Sequence, residues 1–434
     1  MLKLALLPTA RDLERVLEAA YRAFYQILEA SSSRDRLVIR VYPNLDPIVA
    51  GVIVASRVLR VGAEVSIKVS LNPPPIIDEP TVLLGYNRVD YHPSNVTSPM
   101  LAIASGSVES IPVHGTTFVG GQGSNVAIAT LVVTGGTNNI GIDLASMTLL
   151  GIHAGNYVDS VGKLSGLDRV LVEKLSSSLP GLDIVTTIKV YKPHVLEFCE
   201  AISTTAYPLY LGLAGDPWRC QEVLGIEKYR SVAGKPLSSI TDAKEIEYLA
   251  KQVINFMHLN FRSKISAKDM VAGMLVSKSR EAPIQDYREA CDALIYASDS
   301  ERSLARVVAT LLDFSIEIPL AESQLESSAK VLSNIVAEGS ITKVGSTQRF
   351  KVYSVGAKPG APLTLLWRAL KVHGFIESDS ILVVEEGDEF LASPIQIEEA
   401  LGYGALNELN RANLIKFDGE KVWIEKRALD VKHI

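Results

Sequence analysis

Apolar residues recur at helical spacing over residues 11–30, with Arg and Glu between them, which predicts an amphipathic surface helix. A serine-rich break follows, and a β-branched apolar run at 37–42 then predicts a buried strand. The pattern next indicates a helix over 47–60 that ends at Gly62, and a second strand over 63–69. Together these elements form a βαβ unit, whose two strands should be parallel.

The following part of the chain continues to alternate short apolar strands with helices. Buried strands are predicted at 81–85 and 100–104, a glycine-rich turn at 120–125, and a closely packing helix of small residues over 142–153. This alternation is typical of a mostly parallel α/β sheet, in which ligands bind at the carboxyl ends of the strands. The loops expected to share that edge are 43–47, 85–92, 104–106 and 153–160.

A strongly helical segment over 241–260 predicts a connection between two globular units, and 434 residues are ample for two cores. A smaller α/β unit is expected from about residue 262. Its predicted helices lie near 284–297, 301–313 and 321–337, its strands near 350–355 and 381–385, and a closing helix and strand at 396–425. The expected domain limits are therefore 1–240, a connecting helix 241–261, and 262–434.

Composition narrows the classes of function. The net charge of −6 provides no overall basic field, so any contact with nucleic acid must be local. Cys199, Cys220 and Cys291 form no CxxC pair, which argues against a disulfide framework and a structural zinc site and favours a reducing cytoplasm. The short apolar N-terminus predicts no leader, and the run at 126–133 is too short to span a bilayer, so a soluble protein is expected.

Residues 41–51, followed by 60–65, resemble the opening unit of the DHH phosphoesterase superfamily, in which a strand ends in an Asp-x-Asp-Gly loop. Asn44 stands at the first Asp of that loop and Pro47 at its Gly. Residues 143–156 and 163–169 are similar to a segment of the archaeal RecJ-like branch, whose metal-binding Asp corresponds to Asn156.

Residues 203–216 resemble a stretch peculiar to that archaeal branch, and the resemblance covers about 37–300. It implies a DHH-type N-terminal domain and a degenerate DHH-associated C-terminal domain. The remaining family motifs are missing. Their expected positions hold Gly85-Tyr86-Asn87, Ala104-Ser105-Gly106 and Gly402-Tyr403-Gly404, and Asp90-Tyr91-His92-Pro93 is interpreted as a loop without catalytic meaning.

DHH enzymes hydrolyse phosphodiesters with two divalent metals, which need several anionic ligands on converging loops. Here the resemblance leaves Asp46 beside the neutral Asn44 and Asn156, so we expect no catalytic residue, no bound metal and no cofactor. Because Asp46 precedes Pro47, it is interpreted as the N-cap of helix 47–60. His153 is interpreted as a packed or surface imidazole, and His114 as a loop residue.

A glycine-rich turn is the second candidate site. The turn precedes the apolar run 126–133 and could present backbone N–H groups to a phosphate or a nucleic acid at the start of a helix. The candidate contact residues are Gly121, Gly123, Ser124 and Asn125. A tight turn that allows close helix packing explains the same pattern equally well.

A RecJ-like fold without its metal ligands implies a catalytically inactive replisome component. By that resemblance we expect an archaeal replication factor that binds the GINS complex and supports the MCM helicase, in keeping with the acidic balance. The alternative is a manganese-dependent single-strand exonuclease or phosphodiesterase with residual activity. A passive binder of single-stranded DNA is the third hypothesis.

Overall fold

The computed structural model divides the chain into two compact units. Unit 1 comprises Met1–Val158, Lys163–Pro180 and Val308–Asp313, and unit 2 comprises Asp159–Gly162, Gly181–Val307 and Phe314–Ile434. The predicted limits of 1–240, 241–261 and 262–434 stay a prediction about which segments fold independently. The structure describes residues 10–34, 36–86, 96–105, 109–113, 116–121, 123–135, 140–156, 164, 166–176, 179, 181–279, 281–339, 341–356 and 360–429.

The first part of the chain alternates strands with helices, as the hydrophobic pattern predicted. The elements are α1 (Ala10–Arg34), β1 (Arg36–Val41), α2 (Leu45–Leu59), β2 (Glu64–Val69), β3 (Thr81–Leu84), β4 (Met100–Ser105), β5 (Glu109–Val113), β6 (Thr116–Gly121), α3 (Asn125–Thr134), α4 (Ile142–Asn156) and α5 (Gly166–Ser176).

The strands of unit 1 form one sheet in the order β2-β1-β3-β4-β6-β5. Each neighbouring pair from β2 through β6 is parallel, and β5 joins the edge antiparallel to β6. The chain leaves β1 first towards β2 on one side and then returns to β3 on the other. The boundary between β1 and β3 is therefore the topological switch point, at whose carboxyl ends open α/β sheets bind ligands.

Small residues allow the helices of unit 1 to pack closely. A Cβ atom on Gly51 of α2 would lie 2.7 Å from Val41 Cγ1. On Gly151 of α4 it would lie 2.4 Å from Val126 Cγ2 and 2.8 Å from Val49 Cγ1. A side chain at Gly51 would push α2 away from the sheet, and one at Gly151 would push α4 away from α2 and α3. The small residue Gly151 in 142–153 therefore serves close packing, as predicted.

The chain continues mostly into unit 2. The elements are β7 (Leu182–Ile188), α6 (Phe198–Thr204), α7 (Pro217–Leu224), α8 (Ile226–Val232), a 3₁₀ helix (Leu237–Ser239), α9 (Ala243–Phe261), α10 (Ala267–Met270), β8 (Val271–Ser277), α11 (Tyr287–Glu301), α12 (Leu304–Leu312), α13 (Phe314–Ala337), β9 (Ile341–Ser346), β10 (Lys351–Val355), α14 (Leu363–Val372), β11 (Ser380–Glu386), β12 (Glu389–Ala392), α15 (Pro394–Leu401), α16 (Ala405–Arg411), β13 (Lys416–Phe417), β14 (Val422–Glu425) and α17 (Lys426–Leu429).

Unit 2 contains a mixed sheet in the order β13-β14-β12-β11-β10-β9, in which β10 and β11 are parallel. The antiparallel pair β7 and β8 lies outside that sheet. Trp367 of α14 is fully buried and donates its indole N–H to the Ser380 carbonyl at 2.7 Å. The predicted α/β class with two sheets is confirmed, and the helix predicted over 241–260 is α9.

The prediction against a disulfide framework is wrong for one pair of cysteines. Cys199 of α6 and Cys220 of α7 form a disulfide, with their Cα atoms 5.5 Å apart, and Cys291 is a buried free thiol. The sequence argument relied on local spacing, whereas the packing of α6 against α7 brings together two cysteines that are 21 residues apart. Within the described ranges, no helix is both long enough and apolar enough to cross a bilayer.

Candidate functional site

The carboxyl edge of the unit 1 sheet is the candidate site, because its switch point collects the residues that follow β1 and β3. Asn44 and Asp46 follow β1, and Tyr86 follows β3. All three side chains are buried. These three residues therefore form a buried polar cluster at the carboxyl edge of the sheet.

Asp46 binds the N-terminus of α3. Its Oδ2 accepts hydrogen bonds from the backbone N–H of Asn125 at 2.8 Å and from the Asn125 side-chain amide at 2.7 Å, and its Oδ1 accepts from the Val126 N–H at 2.9 Å. A carboxylate at this position satisfies helix donors that have no partner within the helix. Burial raises the pKa of Asp46 from 3.8 to about 6, although these hydrogen bonds lower it.

The assignment of Asp46 as the N-cap of α2 is wrong. The helix begins at Leu45, so Asp46 lies inside its first turn, and Asn44 is the N-cap residue with extended backbone and no side-chain cap hydrogen bond. From that position the Asp46 side chain reaches a different helix. Asp46 does cap a helix, but the helix is α3, whose first residue lies 79 positions further along the chain.

Asp168 of α5 is a buried residue of this cluster that the sequence did not reveal. Its Oδ1 accepts from the Ser124 N–H at 3.0 Å and from the Ser124 hydroxyl at 2.7 Å, while the Ser124 hydroxyl oxygen accepts from the Ala127 N–H at 3.1 Å. The available signal was that Asp168 is the only acid among residues 163–169.

The backbone N–H groups at the end of the glycine-rich turn and the start of α3 already have acceptors within the chain. The backbone N–H groups of Ser124, Asn125, Val126 and Ala127 all bond to side chains of this chain. A phosphate would have to displace two buried carboxylates to reach them.

Close packing accounts for the glycine pattern in this turn. A Cβ on Gly123 would lie 2.9 Å from Leu167 Cβ, so Gly123 allows α5 to approach. Gly121 is the last residue of β6. Phosphate or nucleic-acid contact at Gly121, Gly123, Ser124 and Asn125 stays a prediction, and the hydrogen bonds argue against it.

Two tyrosines pack beside the switch point. Tyr42 follows β1 and Tyr86 follows β3. Their rings pack edge to face, with the ring centroids 6.1 Å apart. The Tyr86 hydroxyl lies 2.7 Å from the Ser70 hydroxyl and donates to the Ser70 carbonyl at 2.9 Å. Burial raises the pKa of Tyr86, so the phenol stays protonated and is not an anionic ligand.

The remaining predicted site residues lie in or near α4. His153 is half-buried in the last turn of that helix, and Asn156 is its last residue. Asn87, 90–93, Gly106 and His114 lie outside the described residues. The role of Asn44, Asp46, His153 and Asn156 as vestigial active-site positions stays a prediction.

The described part of this edge does not fit a two-metal centre. Two divalent cations close together need several anionic ligands. The positions that follow β1 offer the neutral amide of Asn44 and the carboxylate of Asp46, whose two oxygens already accept three hydrogen bonds. Among the residues that the structure describes, no three His, Cys, Asp or Glu side chains converge on a metal position. We derive no metal-dependent step.

A mostly parallel sheet with a polar switch point and a second, mixed sheet define the class of this protein as α/β. No family model and no curated protein sequence matches this chain. Among solved structures, the chain is similar to CDC45 from Entamoeba histolytica, with a TM-score of 0.55 and 11% identity over 95% of this chain and 97% of that one.

Two RecJ structures are also similar. RecJ in complex with Mn²⁺ from Thermus thermophilus has a TM-score of 0.39 and 11% identity over 97% of this chain and 53% of that one. The structure of exonuclease RecJ bound to manganese has a TM-score of 0.39 and 10% identity, and the match covers 94% of this chain and 89% of that one. The CDC45 comparison shows that this chain has a CDC45-like fold. The archaeal branch stays a prediction.

Proposed function

We propose that this chain is a non-catalytic replisome component of an archaeal type, which binds the GINS complex and supports the MCM helicase in the cytoplasm. CDC45 is a replisome component, and the similarity to it extends over 95% of this chain and 97% of that one. A likeness that covers nearly all of both chains supports a comparable role for the whole protein.

The observation that carries the proposal is the use of Asp46. An ionised carboxylate has about four acceptor directions, and Asp46 uses three of them for hydrogen bonds from residues 125 and 126. Here the carboxylate holds two parts of unit 1 together. The fold is similar to that of CDC45, and this acid stabilises the fold. We expect such a structural role in a protein that acts as a scaffold.

Gel filtration of the purified chain with purified GINS subunits tests the partner. We expect a complex that elutes earlier than either component, and stimulation of MCM unwinding when the complex is added. The Asp46→Asn variant is a suitable control, since the proposal gives the carboxyl edge no part in partner binding and both results should be unchanged. Separate elution of the chain and GINS contradicts the proposal.

A nuclease assay tests the enzymatic alternative. We expect no release of nucleotides from labelled single-stranded DNA with manganese present. Release that is abolished by Asp46→Ala but retained by a variant of an exposed acid, Glu64→Ala, would instead establish a nuclease. Binding of the intact strand without cleavage, weakening steeply as salt increases, would support a passive single-strand binder.

A further inference from the structure

The outer surface of unit 2 contains three packed helices, α7, α8 and α9. The guanidinium of Arg219 in α7 lies 5.7 Å from the centroid of the Phe256 ring in α9. Lys228 of α8 pairs with Glu245 of α9 at 2.6 Å and lies 5.3 Å from the centroid of the Tyr248 ring. These contacts fix α7 and α8 along one side of α9.

Large apolar side chains on these helices are exposed. Trp218 of α7 is 74% exposed, Ile226 of α8 is 71% exposed, and Leu259 of α9 is 85% exposed. Exposed apolar side chains that form one contiguous patch are characteristic of surfaces where another molecule binds.

The helical repeat places the α9 residues on the side that α7 and α8 flank. Tyr248, Gln252, Phe256 and Leu259 follow one another at intervals of four, four and three residues, so they lie on one face. Phe256 and Tyr248 of that face contact Arg219 and Lys228 respectively. Leu259 therefore lies on the same face about one turn beyond Phe256, the residue that Arg219 of α7 contacts.

The charge around these helices differs from that of the whole protein. Residues 217–264 contain eight Lys or Arg and five Asp or Glu, whereas the whole chain contains 43 and 49. An apolar centre of Trp, Ile and Leu with a basic surround fits a partner that has an apolar stripe between acidic side chains.

We propose that Trp218, Ile226 and Leu259 form a docking surface for an acidic amphipathic segment of a partner protein. The exposed aliphatic side chains of Ile226 and Leu259 favour a protein segment over nucleic acid, because nucleic-acid bases stack on aromatic rings and gain little from aliphatic ones. Trp218 is suited to be the anchor, since tryptophan is among the residues that contribute most at protein interfaces. The proposal adds a partner class and a location to the proposed function.

Two synthetic helices test the docking surface without any replisome protein, so this inference and the proposed function can fail separately. Both helices have leucine on one face, and the other face carries glutamate in the first and lysine in the second. Binding to the full chain is followed by fluorescence anisotropy of the labelled helices. We expect the glutamate helix to bind and the lysine helix to bind at least about tenfold more weakly.

Variants locate the binding. Trp218→Ala with Leu259→Ala should weaken binding of the glutamate helix at least about tenfold. The matched control is Ile316→Ala with Leu320→Ala, which removes two apolar side chains that are 65% and 49% exposed on α13 and should leave binding unchanged. Circular dichroism of each variant checks that it is folded, which we expect because all four side chains are exposed.

Several results would overturn the docking surface. Equal binding of the two helices would remove the charge argument, and equal loss in both double variants would remove the location. Preferential binding of a single-stranded oligonucleotide at Trp218 would make the surface a nucleic-acid site. Self-association of the chain that disappears in Trp218→Ala would make the occupant a second copy.

Discussion

The Asp46 carboxylate lies 2.8 Å from the backbone nitrogen of Asn125 and accepts its hydrogen bond, although 79 residues separate the two in the chain. The contact joins the turn after β1 to the first residue of α3. A buried acid in the first turn of α2 thus acts as a cap for a neighbouring helix.

Asp46→Ala should lower the free energy of unfolding by about 3 kcal/mol, because the buried N–H groups of Asn125 and Val126 lose their acceptor. Urea denaturation measures the change. Glu64→Ala at the exposed start of β2 is the control and should change stability by less than about 0.5 kcal/mol. A loss below about 1 kcal/mol in Asp46→Ala would mean that other groups replace the carboxylate.

The raised pKa of Asp46 predicts a specific dependence of stability on pH. Below pH 3.8 the group is protonated in both states, and between 3.8 and about 6 the unfolded chain loses the proton first. The unfolded state is therefore favoured as the pH rises through this window, by roughly 3 kcal/mol, and the effect is constant above it.

Comparison with Asp46→Asn isolates this effect, since the variant cannot titrate at that position while other groups are shared. The stability of the wild type relative to Asp46→Asn should fall as the pH rises between about 4 and 6, as measured by urea denaturation at each pH. Parallel pH profiles for the two proteins would show that the pKa of Asp46 is not raised in the folded state.

A buried ion pair in unit 2 should contribute far more than an exposed one. Arg368 Nη1 lies 3.0 Å from Asp292 Oδ1, and the two side chains are 8% and 3% exposed. Arg368→Ala should cost about 3–5 kcal/mol in urea denaturation, because it leaves Asp292 without its guanidinium partner in the interior.

The exposed pair Lys278 and Asp183 provides the comparison. Its atoms are 2.7 Å apart, which is closer than in the buried pair, but the side chains are 53% and 49% exposed. Lys278→Ala should change stability by less than about 1 kcal/mol. If the two substitutions have equal effects, burial does not determine the contribution of these pairs.

The bond between Cys199 and Cys220 closes a loop with a sequence separation of 21 residues. Reduction should lower the free energy of unfolding by about 3 kcal/mol, chiefly because the unfolded chain gains conformational freedom. Urea denaturation with and without dithiothreitol measures the difference. In the Cys199→Ser and Cys220→Ser double variant the reductant should have no effect, and any remaining effect would have to come from Cys291.

Much of the fold follows from the sequence because it depends on local periodicity. Helical spacing predicted α1 over residues 11–30, close to its observed limits. A β-branched run predicted β1 over 37–42, one residue from its observed limits. The βαβ unit predicted parallel strands, because two neighbouring strands of one sheet that are joined by a crossover helix run in the same direction. The pair β7 with β8 was not predicted, because it joins segments about 90 residues apart that meet only through packing. The pair β5 with β6 is local, and the apolar pattern over these residues did not reveal it.

The candidate site divides in the same way. The sequence alone determined that Asn44 is neutral where the resembling family has an acid, since charge is a property of the residue type. Only the tertiary structure decided that Asp46 and Asp168 occupy the N-terminus of α3, and that Cys199 meets Cys220. Each of these contacts joins residues at least 21 positions apart, and their meeting depends on how helices pack rather than on any local pattern of residues.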